Sequence, residues 1–550
     1  MRGKLMRTIT VVISFVLAMT LLAGCSDKTA KTPAEGNDVN QTPTVAESAA
    51  SDLSKEEITY PVKGGGKLTY WLKLDPKVSA SSKTIADTEF AKELAKRTGI
   101  EIEWVHPTQG QEQQQLNLMI ASGDMADIID APWGTWYPGG AEKALQDNVI
   151  LPLNDLIEKY APDYLKVLET DPEKNKQVRT DDGVLYGFAC FRGDDINTVY
   201  VAPLLRGDWL KELGLSRPTT VAEYEEVLRA FKEKKGATVP FTITKNLDEN
   251  FVAGALGFSL NWYIDDNGKV AYGRLHPNYK EYLTIMHRWY EEGLLDNNFA
   301  TNDGDAIKAN MLNSTSGLTI GFLSGNMGTW MNAMKDKDPN YELVASQYPT
   351  LNKGEKVKFT QKDWKFNGWS TAITTSCQNP ELAAKFLNYG YTEEGEMLYN
   401  FGIEGVSYEM VNGYPTYTDA VMKHPTFSVA EALSVYTRTA YADGPFIQRK
   451  EYIEQVMQLP QQKEALQILI QADPYPNKYP PATTTPEEAQ ELATIESDIN
   501  TYVDEMTLRF IIGTEPLSNF DKFVETVKSM NIDRAIEIRQ KSVDRYNNRK

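Results

Sequence analysis

The sequence runs to 550 residues, with 57 Lys and Arg against 76 Asp and Glu, a formal net charge of -19 and 41% hydrophobic residues. So acidic a chain repels polyphosphate, and no Lys/Arg block interleaved with aromatics offsets this locally, which weighs against a nucleic-acid partner. Three Cys and four His leave neither a disulfide scaffold nor a Cys-rich metal fold, and the length argues for two lobes rather than one core.

Arg2, Lys4 and Arg7 open the chain, followed by an apolar run over 9–22 and then Ala23, Gly24 and Cys25. Charge, apolar stretch and small residues in this order make 1–24 a secretory signal peptide, too short for a spanning helix. Leu22-Ala23-Gly24-Cys25 resembles the bacterial lipobox, in which the Cys becomes the lipidated first residue; an ordinary signal peptide with a chance Cys is the plainer alternative. If the lipobox is real, acyl chains such as palmitate on Cys25 hold the protein to the lipid bilayer at the outer face of the cell membrane. Residues 25–60 read as the lipidated Cys and a disordered tether, because 26–54 have almost no bulky apolar side chain with which to repay ordering.

From Lys67 onward strand and helix alternate. Residues 68–72 are an apolar strand, and 87–97 a helix with Phe90, Ala91 and Leu94 on one face, stopped by Gly99. Ile100, Ile102 and Trp104 alternate with Glu101 and Glu103; Leu116, Met119 and Ile120 mark a second helix; 126–129 is another buried strand. This βαβαβ run predicts a parallel sheet whose ligands sit at the carboxyl ends of its strands. Thr220 and Glu223 have capping-box spacing ahead of Tyr224, Val227, Leu228 and Phe231. Residues 241–244 read as a strand and Asp265-Asp266-Asn267-Gly268 as a turn, while Thr485-Pro486-Glu487-Glu488 opens a long carboxyl-terminal helix.

Several phrases carry a family resemblance: LMIASGDMADIID at 118–130, the DGxxYG of 182–187, the RxDWLxxLGL of 206–215 with Pro218 and Thr219, and Gly402-Ile403-Glu404-Gly405 followed by Tyr408. With the lipobox they make the chain similar to the extracellular solute-binding lipoproteins of bacterial ABC importers, family 1, in the oligosaccharide-binding, long-chain alginate-binding-like group. The resemblance implies a type II periplasmic-binding-protein-like α/β fold, two lobes closing on a hinge about an interlobe cleft. It places lobe 1 at about 61–190 plus 370–430 and lobe 2 at about 191–369 plus 431–550 of the body 61–550. It further implies a monomer that is not an enzyme and that passes an oligosaccharide to permease subunits of the importer.

A sugar presents apolar C–H faces and a ring of hydroxyls, so its site needs aromatic platforms beside carboxylates and amides. Trp133, Trp136 and Tyr137 follow the strand ending at Asp130 in a Pro/Gly-rich loop and are the first candidates, at least one of them for binding; the alternative is that one plugs the lobe surface. Trp71 ends the first strand and reads equally as a strand core residue. Trp262 and Tyr263 precede a turn, Trp330 follows the Gly-rich 321–328 or simply packs at a helix start, and Trp364 and Trp369 flank Asn367-Gly368 on an expected return crossing. Glu404 is a candidate hydroxyl acceptor, or a solvated turn carboxylate. Trp209 reads as core and Arg206 with Asp208 as a structural ion pair.

Glu173, Asn175, the carbonyl of Gln177, Asp181 and Asp182 resemble the structural calcium loop of alginate-type members. Glu173 stands where a shorter Asp is expected and Lys174, Lys176 and Arg179 dilute the charge, so a solvated loop is the plainer reading; no other cofactor is expected. GxxxxGK[ST], HExxH, CxxC and a GxGxxG after a strand are absent, and Gly368-Trp369-Ser370-Thr371-Ala372 falls short of a nucleophile elbow. Cys190 and Cys377 suit either a bridge or two buried thiols. The rival from another class is an anchored extracellular glycoside hydrolase using a carboxylate pair.

Overall fold

Alternation sets the first strand. In β1 (Gly66–Trp71) Leu68 and Tyr70 enter one hydrophobic core and Trp71 the core on the other face. Parallel partners β2 (Ile100–Val105) and β3 (Ile128–Ala131) lie on either side of β1, reached through helices Glu89–Thr98 and Glu112–Ser122. Thr88 caps the first helix and Gly99, at φ 72°, ends it in the left-handed conformation that suits glycine. The structure, a computed structural model, describes residues 58–248, 250–438 and 443–549. Cys25 and the expected signal peptide lie outside the described residues.

After β4 (Phe188–Arg192) the chain crosses to β5 (Val201–Arg206). The expected turn at Asp265–Gly268 closes the hairpin of β6 (Trp262–Ile264) and β7 (Val270–Tyr272). Antiparallel β8 (Leu318–Phe322) and β9 (Leu343–Ala345) flank β5 to complete a three-stranded sheet. Residues 241–244 do not form the expected strand: Phe241 makes only single bridges to Leu295 and Leu318.

The chain returns as β10 (Phe366–Ile373), inserted antiparallel between β3 and β4. Beyond the hairpin of β11 (Tyr408–Val411) and β12 (Tyr414–Tyr417), β13 (Ile447–Gln448) adds parallel to β4. The larger sheet thus runs β13-β4-β10-β3-β1-β2 and is mixed rather than wholly parallel, because β10 arrives by a return crossing instead of a βαβ connection.

Two bodies of core follow from this topology. One lines both faces of the six-stranded sheet, with Tyr70, Ile128 and Ile373 on one side and Trp71, Ile129 and Ala372 on the other. The second gathers the three-stranded sheet with helices Val221–Lys235, Tyr279–Glu291 and Pro486–Ile512. Phe401, Tyr408, Tyr417 and Val421 pack into this second core, and β13 belongs to the six-stranded sheet, both contrary to the lobe bounds expected from sequence.

Local chemistry behaves as read. Thr220 and Glu223 form a reciprocal capping box, and hydrogen bonds from Thr219 hold the Glu223 carboxyl down at about 2. The guanidinium of Arg206 grips Asp208 through two bonds of 2.8 and 2.6 Å and lies 4.3 Å from the centre of the Trp209 ring, a buried structural pair. Cys190 and Cys377 are free buried thiols, and burial pushes both up to about 12. Among the described residues no helix is long and apolar enough to cross a membrane.

Candidate functional site

At the carboxyl edge of the six-stranded sheet a bulge re-aims one indole. The register of β10 against β4 shifts between Phe366 and Ser370, Gly368 takes φ 93°, and the Trp369 N–H donates to Asn367 Oδ1 at 3.1 Å. A Cβ on Gly368 meets open space, so backbone conformation rather than crowding demands glycine here. Trp369 thereby meets Trp136, which closes the single helical turn Trp133–Trp136 after β3, edge to face at 5.2 Å between ring centres. Both rings are half-buried, leaving apolar surface for a ligand.

A chain of charges underlies this pair. Lys73, two residues beyond β1, places Nζ 4.1 Å from the Trp369 ring centre and 3.3 Å from Asp443. Arg438 reaches Asp443 at 2.7 Å and Asp130 at 3.2 Å. Asp130, Arg438 and Asp443 are all at most 3% exposed. Burial, reinforced by the neighbouring Asp443, outweighs Arg438 and pushes the Asp130 carboxyl up to about 7. Among the described residues Asp130 Oδ1 accepts no hydrogen bond.

The second core presents its own aromatic surface where the two sheets approach. Phe322 ends β8 opposite Val201, the first residue after the crossing, and is 54% exposed. Its ring lies parallel to that of Tyr200 at 6.0 Å between centres. Tyr200 donates its hydroxyl to Asp363 Oδ2 at 2.7 Å, and the Arg192 guanidinium, at the end of β4, lies 5.6 Å from its ring centre. Asp363 continues into a pocket of about 340 Å³ lined also by Asp248, Asn250, Trp262, Asn477 and Tyr479. Flat rings beside carboxylate and amide groups can hold a polyhydroxylated solute with apolar faces.

Of the residues singled out in the sequence, Trp136 and Trp369 come together. Trp71, Trp133 and Trp330 do not join them: each is at most 3% exposed and packs in a core. Period-two alternation turns Trp71 onto the covered face of β1, and Trp330 packs from the helix Thr329–Met334. Tyr137, half-buried, donates its hydroxyl to Asp147 at 2.8 Å. Trp262 lies between Tyr272 and Arg539, with Tyr263 buried beside it, both lining the 340 Å³ pocket. Trp364 packs on Tyr475 and bonds the Tyr479 carbonyl at 3.1 Å, so it braces the return crossing. Glu404 is exposed in a turn tied by Gly405 N–H to the Tyr408 carbonyl.

The side chains of the expected calcium loop are engaged by other protein groups rather than left open for an ion. Pro172–Gln177 is a helix, Glu173 and Gln177 bond each other, Asn175 accepts from Arg179, Asp181 accepts from Arg545 and Arg549, and Asp182 is exposed. Among the described residues no group of three or more His, Cys, Asp or Glu side chains is placed to hold a metal. Sequence reading missed Lys73, Tyr200, Phe322, Arg438 and Asp443. Lys73 and Phe322 were reachable by the strand-end rule; Arg438 and Asp443 carry no local signal.

The family model of bacterial extracellular solute-binding proteins matches residues 80–397. The chain belongs to that family. FusA, a fructooligosaccharide ABC transporter substrate-binding protein of Streptococcus pneumoniae serotype 4, is 25% identical over 529 residues, which cover 90% of this chain and 94% of FusA. Lipoprotein LipO of Bacillus subtilis is 26% identical over 340 residues, 58% of this chain and 64% of LipO. The crystal structure of the alginate-binding protein AlgQ2 without calcium ion superposes with a TM-score of 0.69 at 23% identity, covering 89% of this chain and 100% of AlgQ2. This likeness gives the solute-binding chain its two-lobed, periplasmic-binding-protein-like fold, with the cleft between the lobes. Its relatives are binding proteins of importers, so the hydrolase alternative is not favoured.

Proposed function

We propose that the chain is the extracellular capture subunit of an ABC importer, binding an intact oligosaccharide as a monomer and delivering it to the permease. The observation that carries this reading is the half-buried Trp136–Trp369 pair on the carboxyl edge of the six-stranded sheet, with Phe322 exposed at the end of β8 in the three-stranded sheet. Two aromatic surfaces on separate cores can clamp a sugar between them when the lobes rotate, and rotation makes the liganded state distinct for a permease. FusA, related over nearly its full length, supports an oligosaccharide as solute.

The test is calorimetric titration with neutral fructo- and gluco-oligosaccharides and with acidic uronides, alongside product analysis. Saturable binding of one class with the sugar recovered unchanged is expected. Turnover, or no binding across the panel, overturns the reading.

We further infer that Cys25 is acylated and tethers the mature protein to the outer face of the membrane, a reading supported by the lipobox order of residues 22–25 and by the relative named as a lipoprotein. Cys25→Ser should abolish fatty-acid labelling and leave the precursor unprocessed; labelling of the variant at wild-type level would contradict it.

A further inference from the structure

The segment in which the alginate-type resemblance implies calcium does not fit that ion. Calcium takes six to eight oxygens at about 2.3–2.6 Å around one point. Here the side chains of Glu173, Asn175, Gln177 and Asp181 already accept from the protein, and Asp182 is exposed. Gln177 Oε1 accepts the Phe366 N–H at 3.0 Å, and Asn175 Oδ1 accepts Arg179 Nε–H at 2.7 Å. Glu173 Oε1 accepts the Tyr546 hydroxyl at 2.7 Å. Asp181 is gripped from both sides, by Arg545 Nε at 2.6 Å on Oδ2 and by Arg549 Nε and Nη2 at 2.8 and 2.6 Å on Oδ1.

These contacts join two cores. Val178 and Leu185, on either side of Asp181, pack under the six-stranded sheet. Arg545 lies on the last helix, Ile532–Asn548, whose Ile532, Ala535 and Ile538 pack in the other core. The Arg549 side chain is 1% exposed, and its Nη2 also donates to Thr483 Oγ1 at 2.5 Å. Arg545 is shared with Glu488 at 2.5 Å, so the surplus positive charge is itself answered.

We propose that Asp181, Arg545 and Arg549 form an ionic clasp that does the work of a divalent cation, fastening the carboxyl-terminal helix to the sheet lobe and making the fold independent of calcium. Two planar guanidinia supply two positive charges with fixed donor geometry. A bound ion stabilises by an amount that rises with the logarithm of its free concentration and vanishes when it is absent; covalently carried charge does not dissociate. The strut therefore persists outside the cell whatever the divalent cation level.

The test uses the full chain without ligand, so its outcome is separate from that of the sugar-binding reading. Thermal unfolding should be the same in EDTA and in millimolar Ca²⁺, and calorimetry should find no Ca²⁺ binding; a fall of Tm in EDTA or a rise in Ca²⁺ overturns the proposal. Asp181→Asn should lower Tm, and hydrogen exchange should quicken in both Ile532–Asn548 and Pro172–Gln177. If Arg545→Gln with Arg549→Gln fails to fold, Asp181→Asn alone decides. Wild-type Tm in Asp181→Asn, or faster exchange confined to 178–185, overturns it.

Discussion

Two of this molecule's knots of carboxylate and guanidinium are opposite in balance. Beneath the aromatic pair, Asp130 and Asp443 share Arg438, with Lys73 adding partial relief. At the end of the chain Arg545 and Arg549 share Asp181. In the first, surplus acid in a dry place drives Asp130 up to about 7; in the second, each of the three charges has its counter-charge and part of the knot stays wet. Burial therefore sets the character of each more than the number of bonds. A dry, acid-rich knot under a binding surface is sensitive to protonation, whereas a compensated one at a lobe junction serves as a strut.

The largest expected effect breaks the first knot. Arg438→Met leaves two buried carboxylates facing each other and should cost about 3–5 kcal/mol in chemical denaturation; a loss below about 1 kcal/mol, typical of a surface pair, would erase the contrast. Proton uptake sharpens it. The folded-state value of Asp130 lies above its ordinary 3.8, so the folded form binds a proton more tightly than the unfolded chain. Its contribution to stability is full below 3.8 and is lost as pH rises through about 7. Urea midpoints should fall across that window, and Asp130→Asn should flatten this part of the profile.

Next in size, Trp369→Ala should weaken sugar affinity at least tenfold, about 1.4 kcal/mol, with the fold retained. Trp136→Ala should do the same in calorimetry, since each ring supports the other; unchanged affinity in both variants would move the site away from this edge. The smallest effect is a control in the second core: Thr220→Ala removes a cap and should cost about 1 kcal/mol without touching affinity.

The parts legible in the chain were those whose causes lie within a few residues. Thr220 with Glu223, Thr485 with Glu488, and Gly99 at a helix end all act through hydrogen bonds or dihedral angles spanning one helical turn. The βαβαβ order is likewise a local pattern of apolar and polar residues. What an indole does was not legible. Trp71 and Trp369 both sit at the carboxyl edge of the same sheet, yet one is sealed into the core by alternation and the other is turned out by a bulge. Only the tertiary structure decided this, because burial depends on which elements arrive to cover a face. Nor could the sequence pair Asp130 with Arg438, 308 residues on, or Asp181 with Arg545, 364 residues on. Coulombic partners at such separations are chosen by the fold, whose packing first brings the charges out of water and within reach of one another.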